Sequence, residues 1–100
     1  MIPDSVRAIR PGDPPIKIVR IPIQRPMDLH LHDFDELVMI TKGHGLHFTE
    51  SEEYTICAGD VFFIKPGITH GYRNTEDLEL INVLYYQNNL SVPINDLRKM

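Results

Sequence analysis

Residues 16–23, IKIVRIPI, alternate apolar and polar side chains with period two, which predicts a β-strand. Pro22 has no amide hydrogen to give to a ladder, so this strand belongs at a sheet edge. Further short apolar-rich runs follow at 27–32, 36–42, 45–49, 53–57, 60–65, 70–74 and 78–87. Turn formers separate them: Asp33 and Asp35, Gly43-His44-Gly45, Glu50-Ser51-Glu52, Ala58-Gly59 and Pro66-Gly67. No helical period is sustained between these runs. The pattern predicts an all-β domain, a sandwich or a closed barrel of many short strands. Residues 1–15 contain PGDPP and read as an extended arm; 16–87 form the barrel. The closing segment, 88–100, has Pro93 placed as if to open a helix.

Composition narrows the possibilities without choosing among them. One hundred residues make one domain. The formal charge of −4 and the absence of a basic cluster richer than Arg98-Lys99 argue against nucleic-acid binding by this chain itself. The apolar runs at 37–40 and 61–64 are far too short for a membrane-spanning helix. The opening MIPDSVRAIR lacks the charged-then-apolar pattern of a secretory leader, so the expected location is the cytoplasm. Cys57 is the single cysteine; it forms no internal disulfide and is expected as a small apolar filler on a strand.

The stretch HLHDFDELVMITKG, residues 30–43, carries the chemistry. On a strand, positions i and i+2 share a face, so His30 and His32 project together. Glu36 opens the next run and is able to lie beside them. A second stretch, GDVFFIKPGITHGYRN at 59–74, ends one strand in a Pro-Gly turn and opens the next with His70. If these strands are neighbours in one closed sheet, three imidazoles and one carboxylate converge. Such a set suits a divalent ion: iron, manganese, nickel, zinc or copper. Taken singly, each residue has a plainer reading: a solvated His-x-His pair, a surface carboxylate and a turn histidine. The joint spacing is what favours a site.

That spacing resembles the cupin superfamily. His30, His32, Glu36 and Gly43 match its first motif, H-x-H-x3-E-x6-G, and Gly59, Gly67, His70 and Asn74 match its second. Two positions depart: Gln24 stands where the first motif opens with glycine, and Lys65 stands where the second has its first proline. The resemblance implies a small cupin β-barrel, or jelly roll, with His30, His32, Glu36 and His70 as metal ligands. Residues 28–90 further resemble the sensor half of AraC-type transcription regulators of the rhamnose-activator kind. That resemblance implies a small polar effector, a sugar by expectation, bound in the barrel of a homodimer. It also assigns DNA binding to a separate helix-turn-helix region that this chain does not contain. The chain is then either the sensor part of a longer protein or a free-standing cupin.

Four more residues are candidate effector contacts. His47 lies opposite Leu46 and Phe48 and so lines the pocket or the outer wall. Tyr72 offers a ring for stacking on a sugar, with barrel filling as the plainer role. Arg73 offers a fork for a carboxylate, against simple surface exposure. Lys65 brings a cation to the barrel mouth. Of the remaining candidates, His44 reads as solvated in its turn, Asp33 and Asp35 as caps of turn amides, and Tyr54, Phe62 and Phe63 as barrel filling. The competing function is a metal-dependent small cupin enzyme (isomerase, lyase, decarboxylase or dioxygenase), with His47 as first candidate for a general base. A barrel with a vestigial site is the third reading.

Overall fold

The structure, a computed structural model, describes residues 15–86. The expected arm and the 88–100 segment lie outside the described residues, apart from Pro15. Six strands are present: β1 (Ile16–Ile21), β2 (Met27–His30), β3 (Asp35–Thr49), β4 (Glu53–Cys57), β5 (Val61–Ile64) and β6 (His70–Tyr85). There is no helix among the described residues.

Two long strands organise the molecule. β3 and β6 pair antiparallel from Asp35↔Tyr85 to Thr49↔His70. β5 and β4 line successive halves of β3, while β2 and β1 line successive halves of β6. β1 ends the strand order, before Pro22, at the edge that this proline predicts.

Four predicted runs merge into two strands. The segments 36–42 and 45–49 fall on one strand, and 70–74 and the part of 78–87 up to Tyr85 on another. Gly43-His44-Gly45 is therefore not a turn. It is a stretch of register shifts between Ile40 and Leu46, facing a β6 segment in which Asn74 and Asp77 take positive φ. Gly43, with φ 76°, passes so close to the Glu76 and Asp77 carbonyls that a Cβ would overlap them. The paired strands bend here together, and each serves both halves of a rolled sheet.

The turns between shorter strands are held as their residue types require. Thr49 Oγ1 accepts from the Ser51 and Glu52 amides, and Asp60 Oδ2 accepts from the Cys57 amide at 2.8 Å. Gly59 and Gly67 supply positive φ.

The core shows that the rolled sheet folds over on itself. Val38, Ile40, Ile56, Ile64, Tyr72, Leu78 and Leu80 form one cluster although they come from β3, β4, β5 and β6. Ile21 and Phe62 pack against it. Each large apolar side chain buried here contributes roughly 1.5–3 kcal/mol. Two expected fillers are corrected. Phe63 points outward, because β5 has period two and Phe62 and Ile64 take the inward positions. Cys57 is exposed at the end of β4, where Ile56 takes the inward position.

Candidate functional site

The site forms where the loop after β2, the start of β3 and the start of β6 meet inside the barrel. His32 is carried by the 31–34 loop and is held from three directions. Its Nδ1 donates to the Phe34 carbonyl at 2.8 Å. Its ring stacks on Phe34 with centroids 4.1 Å apart and planes 9° from parallel. Its own carbonyl accepts from the Gly67 amide at 3.1 Å, which ties the Pro66-Gly67 turn to this loop. Glu36 is inward-facing near the start of β3, and His70 is the first residue of β6.

Ligand atoms of His32, Glu36 and His70 all lie within 4.8 Å of one another, and all three residues are buried. His30 lies outside this group. Its ring sits beside His70, with centroids 4.5 Å apart, but 6.4 Å from His32, and its Nδ1 donates to the Asp28 carbonyl. The spacing that put His30 and His32 on one face does not apply, because β2 ends at His30 and His32 belongs to the loop.

Burial dominates the electrostatics at this point. Burial lowers the His32 pKa, with its bond to the Phe34 carbonyl opposing the shift in part. Burial, followed by the neighbouring His30, His47 and His32, lowers that of His70 to about 3. Burial raises the Glu36 carboxyl to about 7. The imidazoles are therefore neutral, and the 3.9 Å approach of His32 Nε2 to Glu36 Oε1 is neither an ion pair nor a hydrogen bond.

These residues fit a divalent ion. His32 keeps its proton on Nδ1, so its Nε2 presents a bare lone pair. The Nε2 atoms of His32 and His70 are both buried without a hydrogen-bond partner. Buried polar atoms of this kind are rarely left unmatched. A cation would satisfy both and favour the ionised form of Glu36.

The four candidate effector contacts divide into two pairs. His47 and Tyr72 are buried and belong to the interior. His47 Nε2 lies 3.0 Å from His70 Nδ1. The Tyr72 hydroxyl has no partner, and its pKa is raised by burial, by Glu36 and by Tyr54. Arg73 and Lys65 do not join them. The Arg73 guanidinium lies 3.7 Å over the Phe48 ring and 3.7 Å from Glu53, and Lys65 pairs with Asp35 at 3.6 Å. Arg73 and Tyr72 do share the wall of an open groove of about 630 Å³ with Pro26, Met27, Asp28, Leu29 and Phe48.

Two features of the interior escaped the sequence reading. Phe34 backs His32, and nothing in a lone aromatic between two aspartates announces that role. Asn82 sets a side-chain oxygen without a partner among the inward residues of β6. A polar residue inside the apolar run LINVL was the available signal.

Comparison with known proteins follows the same residues. A family model described as a cupin domain matches residues 17–84. The HTH-type transcriptional activator RhaR of Mannheimia succiniciproducens is 41% identical over 78 residues, which cover 78% of this chain and 28% of that protein. RhaR of Pectobacterium atrosepticum is 44% identical over 64 residues, covering 64% of this chain and 22% of that protein. The chain thus spans less than a third of the length of these curated relatives. Among solved structures, a cupin protein from Bacteroides fragilis superposes with a TM-score of 0.62 at 20% identity, over 78% of this chain and 70% of that one. That likeness bears on the fold, a small β-barrel.

Proposed function

This chain belongs to the cupin family, and from that premise we propose that it is the effector-sensing domain of an AraC-type transcription regulator. The observation that carries the reading is the 41% identity, across most of the barrel, to a transcriptional activator. The effector is a small polar molecule, a sugar by preference. His32, Glu36 and His70, with His30 beside them, hold a divalent ion or bond effector hydroxyls directly. When bound, the ion would offer open coordination positions to effector oxygens. Tyr72 and Arg73 contact the effector from the groove, and His47 supports His70 from the interior. Lys65, paired with Asp35, contributes least. The protein acts in the cytoplasm as a homodimer, and DNA is read by a helix-turn-helix region outside the matched stretch.

Sensing works through differential affinity: a ligand that prefers one packing of the domain shifts the population toward it. The test is a thermal-shift screen of metal-loaded protein against monosaccharides and sugar acids. A binder should raise the melting temperature in proportion to ln(1 + [L]/Kd) and leave the screen chemically unchanged. The shift should vanish in His32→Ala/His70→Ala. Conversion of any sugar to product would instead favour the enzyme reading.

A further inference from the structure

An imidazole presents a bare Nε2 only if its proton sits on Nδ1, so each inward histidine needs an acceptor behind it. For His32 that acceptor is the Phe34 carbonyl, which no side-chain substitution removes. For His70, the partner of Nδ1 among the described residues is another imidazole: Nε2 of His47, 3.0 Å away. His47 and His70 are 2% and 1% exposed, so water does not compete for this contact. The His47 ring is boxed by aromatic neighbours, with centroids 5.2 Å from Tyr54, 4.7 Å from Phe62 and 5.2 Å from Tyr72. Its Nδ1 and the Nε2 of His70 are the two atoms of the pair left without partners.

We infer that His47 is the positioning residue of the site: its Nε2 accepts the Nδ1 proton of His70 and so aims a bare His70 Nε2 at His32 and Glu36. His47 then keeps its own proton on Nδ1, inside the aromatic box. It acts through His70 rather than by touching an ion or effector. The inference rests on reading His32, Glu36 and His70 as an ion site, and it adds that one side chain controls whether His70 is a competent ligand. An imidazole is able to donate or accept, whereas a carbonyl only accepts. The His70 tautomer is thus a property of the pair, and removing His47 releases it.

Three forms of the full chain test this: wild type, His47→Phe, which keeps a ring without an acceptor, and His47→Gln, which keeps an acceptor without the ring. Zn(II) affinity is measured by calorimetry, and the histidine tautomers of ¹⁵N-labelled wild type are read by long-range ¹H–¹⁵N correlation. The expected result is binding weakened about 10–100-fold in His47→Phe. His47→Gln should stay near wild type, and loaded wild type should carry the His70 proton on Nδ1. Zn(II) bound equally well by His47→Phe would overturn the inference. So would equal losses in both variants, which would point to packing alone. If neither variant folds, the wild-type spectrum decides: coordination through His70 Nδ1 refutes the inference. If wild type takes up no Zn(II), the ion reading fails on its own, and the metal-free spectrum judges the relay, with a proton on His70 Nε2 counting against it.

Discussion

His70 shows how much one buried ring governs. In the metal-free folded chain it takes up a proton only near pH 3, against 6.5 when unfolded. Between those values the unfolded chain binds more protons, so stability falls as pH drops below about 6.5. His47, lowered to about 4, and His32, lowered by burial, act with the same sign. Glu36 acts oppositely: its folded pKa of about 7 exceeds the unfolded 4.5, so stability is gained as pH falls through that window. Three groups outweigh one. Metal-free protein should lose urea resistance between pH 6.5 and 4.5, with the loss reduced in His70→Gln. A midpoint that stays level or rises on acidification contradicts the burial of these rings. At the same scale, Leu80→Ala should cost about 2–5 kcal/mol in urea unfolding, because Leu80 is wholly buried in the main cluster. His70 and Glu36 were visible in the sequence as residue types at a telling spacing. The role of His47 was not, because its contact with His70 joins residues 23 positions apart and depends on side-chain direction.

Among elements, the β3–β6 pair carries the design. The sequence pattern located nearly every strand core, since period two is local. It broke β3 at Gly43-His44-Gly45, because two glycines around one residue have the composition of a turn. What decides otherwise is a partner strand far along the chain: Gly43 is needed for its left-handed φ and for the carbonyls of Glu76 and Asp77 pressed against it. Gly43→Ala combines a strained backbone with an overlap and should destabilise the domain by at least about 1–3 kcal/mol. Chemical unfolding checks this, and a loss within error of zero would mean that the bend is not tightly packed. The shared strand face expected for His30 and His32 ends at the same scale, since a period-two face ends where its strand ends.

For the molecule as a whole, the two outer faces differ. One half of the sheet presents two apolar rows, Ile18–Val83–Leu37–Phe63 and Ile81–Met39–Val61, with Arg20 at the end of the second. Near this face Arg20 pairs with Glu79 at 2.6 Å and Lys65 with Asp35 at 3.6 Å, so a second copy could cover it without burying unbalanced charge. The other half carries polar contacts such as Arg73–Glu53 and His44–Glu76. Ile18 is 70% exposed and Val61 58%, so Ile18→Asp/Val61→Asp should leave the monomer folded. In sedimentation experiments it should shift a dimer toward monomer, and an unchanged dimer would place the interface elsewhere. The central claim concerns the opposite side of the same strands, where distant segments converge on one point. It is tested most directly by metal analysis of untagged protein purified without chelator, beside His32→Ala/His70→Ala. The account predicts near one divalent ion per wild-type chain and almost none in the double variant. Equal metal in both, or none in wild type after loading, would contradict it.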